Sequence, residues 1–256
     1  MPHTINNILI TRPKASGEQL AQQLTLAGFA SICQPLITYK TTATESSIRQ
    51  HLSSQQPTIL IFVSVAAVNY AAQALALSQW CTLSTITDVI AVGSTTQQAL
   101  KKHNINSICP ATFDSEGMLA LPLLNQTNMA HSNITIVRGE NGREHLANTL
   151  KQRGATVNYL SVYEKVTVNF PSNQAQQWRN AQINCIVVTS NAFLKSLVHL
   201  VDITDNYWKN TCLWVVVSQR IADTATALGL HNVINTHGAT HQAIVNTLLN
   251  MESTYD

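Results

Sequence analysis

The chain nearly repeats itself at an offset of 126 residues. Laid without a gap on Asn133–Gly154, the segment Asn7–Gly28 matches it at Asn7, Ile8, Ile10, Arg12, Glu18, Leu20, Ala21, Leu24 and Gly28. Ser64-Val65-Ala66 falls on Ser190-Asn191-Ala192 in the same register, and the turn at Gly93 meets Ser218 with one residue fewer between. Repetition over this length marks a duplicated domain, because solenoid units run to only about 20–50 residues. A duplicated α/β unit implies two similar lobes, and two lobes imply a cleft between them.

A chain of 256 residues at 45% hydrophobic content can bury one large or two small cores. The net charge of +2 and the absence of basic runs argue against a nucleic-acid surface. Cys33, Cys81, Cys109, Cys185 and Cys212 are scattered, with no CxxC pair, and read as buried free thiols in a reducing compartment. No basic-then-apolar leader and no window of membrane-spanning length are seen, so a cytoplasmic location is expected.

Short β-branched runs predict buried parallel strands at Ile8–Thr11, Ile59–Val63, Val89–Val92, Ile134–Val137, Cys185–Thr189 and Leu213–Val217. Amphipathic stretches follow them at Gly17–Ala27, Ala66–Leu77, Thr95–Lys102, Glu116–Leu124, Arg143–Arg153, Ala192–Leu200, Arg220–Leu228 and Ala239–Leu249. Gly28 and Gly154 stand where helices should end. The βα alternation predicts parallel sheets flanked by helices. Cys33–Tyr39 and Leu160–Val168 look extended and occupy matching places in the repeat. Thr41–Gln56 and Phe170–Asn180 are polar and read as loops or weak helices, and Asn125–Ser132 as a turn joining the halves.

In such sheets ligands bind at the carboxyl ends of strands, facing free helix amides. Six junctions here carry a hydroxyl, a glycine or an arginine just beyond a strand. They place Arg12, Ser64, Thr95, Thr96, Arg138, Gly139, Thr189, Ser190 and Ser218 as candidate anion-binding residues. For each junction alone, helix capping explains the same residue types; together they point to an anion-binding cleft. Arg12 and Arg138 are equivalent in the repeat, with no obvious acidic partner close in sequence. No P-loop, dinucleotide fingerprint or nucleophile elbow is present. His237 and His241 lack a third ligand, so no metal is expected. Tyr163, in the second extended connector, could donate a proton, because a phenol keeps its proton at neutral pH; packing at a domain junction would equally explain it.

Read in order, Thr11-Arg12-Pro13, Gln34-Pro35-Leu36-Ile37, the run from Ile61 to Val68, Ala91–Thr96, Ser115–Leu119, Val137–Arg143, Val162-Tyr163-Glu164, Val188-Thr189-Ser190 and Val216–Ala222 resemble the uroporphyrinogen-III synthase family over nearly the whole chain. The resemblance implies a flavodoxin-like pair of α/β lobes joined by a two-stranded hinge. Residues 1–38 plus 167–256 would form the first lobe and 41–160 the second, with 36–40 and 160–166 as connector strands. It implies cofactor-free cyclisation of hydroxymethylbilane to uroporphyrinogen III, with loss of water and inversion of the last ring. Tyr163 would be the catalytic acid, and substrate would be bound largely through main-chain amides at the strand-end turns. Hand-over of the bilane from hydroxymethylbilane synthase would be one partnership, and a monomer is expected. Ala66 departs from relatives that carry a basic residue there. The competing readings are a two-lobed, non-catalytic binding protein for a small polyanion, and a regulatory α/β domain pair.

Overall fold

Strands buried on both faces must be apolar throughout, as Ile59–Phe62 and Leu213–Val216 are. A computed structural model describes residues 5–125, 129–142 and 144–253, apart from the side chains of Cys81, Glu252 and Ser253. Among the described residues ten strands form: β1 Asn7–Ile10, β2 Ser31–Cys33, β3 Ile37–Thr41, β4 Ile59–Phe62, β5 Asp88–Ala91, β6 Asn133–Gly139, β7 Thr156–Thr167, β8 Ile183–Val188, β9 Leu213–Val216 and β10 Val233–Asn235. Within β4, Leu60 and Phe62 enter one apolar cluster while Ile59 and Ile61 enter another, so each face of one strand serves a separate core. Each such side chain contributes about 1.5–3 kcal/mol on burial.

The chain folds as two compact units, the residues up to Thr38 with those from Thr167 onward, and Tyr39–Val166. The first unit holds a sheet of order β10-β9-β8-β1-β2, parallel at every pairing. The second holds the order β5-β4-β6-β7-β3, with β4, β5, β6 and β7 parallel. Position by position these sheets correspond. β1 answers to β6, β2 to β7, β8 to β4 and β9 to β5, and the bridge of Ile108 to Ile90 stands where β10 stands beside β9. The repeat is therefore exchanged. β1 and β2 from the first copy complete the sheet of β8, β9 and β10 from the second, while β6 and β7 complete that of β4 and β5. The corresponding strands β1 and β6 both lie inside their sheets, between two neighbours.

The six expected strands and eight expected helices all form, with ends shifted by a few residues. Gly28 and Gly154 follow their helices at φ of 91° and 97°, the left-handed conformation a side chain disfavours. Four readings need correction. Cys33–Tyr39 is two strands, not one run: β2 ends at Cys33, Gln34 and Leu36 still donate to the Ile10 and Thr11 carbonyls, and the chain then leaves its place beside β1 to form β3. Glu116–Leu124 shortens to Ser115–Leu119, because Pro122 cannot continue the helix and disfavours helical backbone at Leu121. Thr41–Gln56 contains a full helix, Glu45–Gln55, begun by a reciprocal Thr44–Ser47 capping box and anchored by buried Ile48 and Leu52. Phe170–Asn180 likewise yields helix Gln174–Asn180 around buried Trp178. Also missed by the sequence reading are the short strand β10 and the helical turns Leu77–Gln79, Trp80–Leu83 and Tyr207–Thr211. Cys185 and Cys212 are buried free thiols, and Cys33 and Cys109 are half-buried. Arg143 and Gln126–Asn128 of the joining turn lie outside the described residues, as does the Cys81 side chain.

Candidate active site

In the second unit the carboxyl ends of β4, β5, β6 and β7 surround a cavity of about 320 Å³. Its lining includes Ser64, Phe113, Asp114, Arg138, Gly139, Glu140, Asn141, Gly142, Tyr163 and Lys165. Ser64 caps helix Val65–Ala74, its Oγ accepting the Ala67 N–H at 3.0 Å. That same oxygen lies 3.3 Å from the Tyr163 hydroxyl. The Tyr163 ring is 7% exposed and held edge-on by Tyr39 at 5.1 Å and tilted against Tyr70 at 5.4 Å. Tyr70 in turn donates to the Tyr39 carbonyl at 3.2 Å. Gly139 pairs with Tyr163 across a β-bulge in the β6–β7 ladder, and a methyl there would stand 2.5 Å from the ring. The absence of a side chain at 139 is what lets the phenol sit over the end of β6.

Arg138 is a structural member of this wall. Its guanidinium donates to the Gly139 carbonyl at 3.2 Å and the Gly142 carbonyl at 2.9 Å, pairs with Glu144 at 3.1 Å, and lies 4.2 Å above the Tyr159 ring. It thus fixes the turn 139–142 that forms one side of the cavity. Tyr159 completes the knot by donating its hydroxyl to Glu144. The Tyr159 phenol is pushed up to about 12, first by burial and then by its bond to the Glu144 carboxylate. That same bond, followed by Arg138, pulls Glu144 below the usual carboxylate range. A phenol raised above its unfolded value of about 10 favours the folded state while neutral, so its contribution is present below pH 10 and lost as pH rises towards 12. The stability of Tyr159→Phe should accordingly fall less steeply than that of the parent over this window, read as Tm against pH. Parallel curves would mean the phenol does not titrate against the fold.

Of the candidate residues, Ser64, Arg138, Gly139 and Tyr163 converge on this cavity. Thr95 and Thr96 open helix Ser94–Lys102 at the end of β5 without lining it, Thr95 exposed and Thr96 turned into the interior at 2% exposure. The rest belong to the first unit. Ser190 caps helix Asn191–Leu200 by accepting the Phe193 N–H at 3.2 Å, reproducing Ser64 one repeat away, and half-buried Thr189 precedes it. Ser218 begins helix Gln219–Ala227 without a side-chain cap. Arg12 is buried at the end of β1 and donates to the Ala239 carbonyl. The sequence reading missed Phe113 and Asp114, because loop 109–114 carries no periodicity, and Lys165, which stands on β7 two residues beyond Tyr163. The loop's one signal is Gly93, over which the Phe113 side chain closes. It also missed Glu144, the partner of Arg138, although Glu144 repeats Glu18. Among the described residues no group of His, Cys, Asp or Glu is placed to hold a metal ion, and no helix is long and apolar enough to cross a membrane.

The two exchanged parallel sheets flanked by helices, with a strand-end cavity holding a buried phenol, define a two-unit α/β protein of the class that binds ligands at strand carboxyl ends. The model of the family Uroporphyrinogen-III synthase HemD matches residues 18–246, and the chain belongs to that family. It is 30% identical over 255 residues to the uroporphyrinogen-III synthase of Escherichia coli strain K12, spanning 94% of this chain and 99% of that protein. To the synthase of Proteus mirabilis it is 35% identical over 182 residues, 69% of this chain and 89% of the relative. Among solved structures, the Helicobacter pylori 26695 uroporphyrinogen-III synthetase shares the fold with a TM-score of 0.64 at 15% identity, over 96% of this chain and 99% of that one. A mutant synthase of Thermus thermophilus does so with a TM-score of 0.56 at 15% identity, over 97% and 99%.

Proposed function

We propose that this chain carries out the uroporphyrinogen-III synthase reaction without a cofactor, closing linear hydroxymethylbilane to uroporphyrinogen III with loss of water and inversion of the last ring. Family membership over residues 18–246 carries the reading, and the buried, hydrogen-bonded phenol in the strand-end cavity gives it a chemical focus. Tyr163 is proposed as the acid. The Ser64 oxygen is already engaged by the Ala67 N–H, so the serine can give its own proton to the tyrosine oxygen, leaving the phenolic proton for substrate. As the terminal carbon–oxygen bond breaks, the pyrrole nitrogen supplies the electron pair and the departing hydroxyl takes the phenolic proton to leave as water. The ring-closing steps later release a proton, which restores the phenol.

The bilane closes on its own to the uninverted isomer, so the protein's task is chiefly to hold the last ring for attack through its substituted carbon. The strand-end residues Arg12, Ser64, Thr95, Thr96, Arg138, Gly139, Thr189, Ser190 and Ser218 remain the proposed substrate-binding set, through their turns and helix amides as much as their side chains. A cytoplasmic setting, a monomeric state and hand-over from hydroxymethylbilane synthase belong to the same reading.

The test is the isomer ratio formed from freshly generated hydroxymethylbilane, read after oxidation to porphyrins. Dominant type III product without added cofactor is expected; type I alone at the spontaneous rate would move the non-catalytic binding-protein reading to the front. Tyr163→Phe should lower kcat roughly tenfold, less than the ~10²–10⁴-fold a full general acid supplies, because the hydroxyl is a ready leaving group. An unchanged rate would reassign Tyr163 to packing.

A further inference from the structure

Arg12 and Arg138 are equivalent in the repeat, as are Glu18 and Glu144, yet only one copy pairs them. In the second unit Arg138 holds Glu144, two carbonyls and an aromatic face. In the first, Glu18 turns to exposed Lys14 at 3.8 Å, and Arg12 has no carboxylate within ion-pair range among the described residues. Arg12 is nonetheless 7% exposed. Its Nη2 donates to the Ala239 carbonyl, and its buried Nε has no partner. A buried, uncompensated cation is among the least favourable arrangements a fold can keep.

The surroundings add to the positive potential. Helix Lys14–Leu26 starts at Pro13 with no side-chain cap and no acid in its first turn. Helix His241–Ser253, whose Thr240 caps the Ala243 N–H, also has no acid in its first turn. The two starts meet where Ser16 lies 3.5 Å from the His241 ring. Two helix N-termini and a guanidinium thus gather with no acid in either first turn and, among the described residues, no carboxylate paired with the guanidinium. The His241 imidazole registers the same field, its pKa lowered first by burial and then by Arg12.

We propose that Arg12 and these two helix N-termini form a carboxylate subsite on the first unit, which takes one acid group of the substrate. The identification of the ligand rests on the proposed function, whose substrate carries about eight carboxylates. A carboxylate suits the site because it can accept from a guanidinium and from helix amides together.

The full-length chain is compared with Arg12→Met, which keeps most of the side chain's bulk and removes its charge. Without ligand, the variant is expected to melt at or above the parent's temperature, since an unpaired buried charge has gone. Its KM for hydroxymethylbilane should rise about tenfold, the loss of one charge-assisted contact, with kcat little changed. Stabilisation against heat by citrate, measured beside inorganic phosphate at equal ionic strength, should be present in the parent and absent in the variant. If Arg12→Met does not fold, Arg12→Gln, which retains a donor for the Ala239 carbonyl, takes the same measurements. A lower melting temperature with unchanged KM would make Arg12 a strut for the Ala239 turn and overturn the proposal. So would Arg12-dependent protection by phosphate as strong as that by citrate. If the parent forms no type III product while citrate protection still depends on Arg12, the carboxylate subsite stands and the proposed reaction falls. If the parent forms type III product and the variant's KM is unchanged, the reaction stands and the subsite falls.

Discussion

Gly139→Ala is expected to lower kcat/KM about a hundredfold, the scale of loss when a reacting group is displaced by about 1 Å. The cause is steric. The glycines with positive φ are Gly28, Gly154 and Gly229, so alanine is permitted by the backbone at 139. Its methyl, however, would stand 2.5 Å from Cε2, 2.6 Å from Cζ and 3.0 Å from the hydroxyl of Tyr163. The ring has little room to retreat, because Tyr39 and Tyr70 already pack against it. It must move towards the cavity or pull β6 away from β7, and either movement breaks the 3.3 Å approach to Ser64. This exceeds the effect of Tyr163→Phe, which removes one proton but leaves the cavity's shape intact. Placing Gly139→Ala in a Tyr163→Leu background removes the ring atoms it collides with, so there the added methyl should change kcat/KM little. That non-additivity identifies the ring as the object displaced. Wild-type kinetics in the single variant would show that the phenol's position does not matter to the reaction.

What the sequence revealed, and what it hid, follows from how locally each feature is encoded. β1 and β6 could be read because each is an apolar run followed by an amphipathic helix and a glycine, and the repeat states that pattern twice. Ser64 and Ser190 could be read as strand-end residues, but capping and ligand binding demand the same hydroxyl at the same place. Both do cap, and only the closeness of Tyr163 sets Ser64 apart. The exchange of strands between copies was not legible from the repeat, since sequential and exchanged lobes have the same periodicity. β10 was missed because its three residues are only half-buried. Helix Glu45–Gln55 was underrated because its polar surface hides an anchor of just two residues, Ile48 and Leu52. The different fates of Arg12 and Arg138 were beyond the sequence too. Equivalent arginines with equivalent glutamates predict equivalent ion pairs, and tertiary surroundings broke the symmetry.

Trp214→Ala is expected to destabilise the first unit by about 3–5 kcal/mol. Trp214 lies on β9, between β8 and β10, with no exposed surface. Its indole N–H donates to the Trp208 carbonyl at 2.8 Å, so truncation leaves both a large void and a buried acceptor without its partner. Trp208 in turn packs edge-on against Trp178, whose own N–H reaches Gln34 at 2.6 Å. The loss therefore falls within a chain of contacts linking β9 to the segment after β2. Trp178, Trp208 and Trp214 all belong to the first unit, and Trp80 alone to the second. Tryptophan fluorescence consequently follows mainly the first unit, and its melting midpoint should drop by roughly 10 °C or more. Tyr39, Tyr70, Tyr159 and Tyr163 lie in the second unit, so derivative absorbance of tyrosine follows mainly the other core. Trp214→Phe, which keeps a ring in the void, should recover part of the loss but not the hydrogen bond. If the alanine variant melts within a few degrees of the parent, the β9 side of the core is not closed as described. If both probes shift by the same amount, the two units unfold as one cooperative block, and the two chain crossings at Thr38–Tyr39 and Val166–Thr167 transmit strain between their cores.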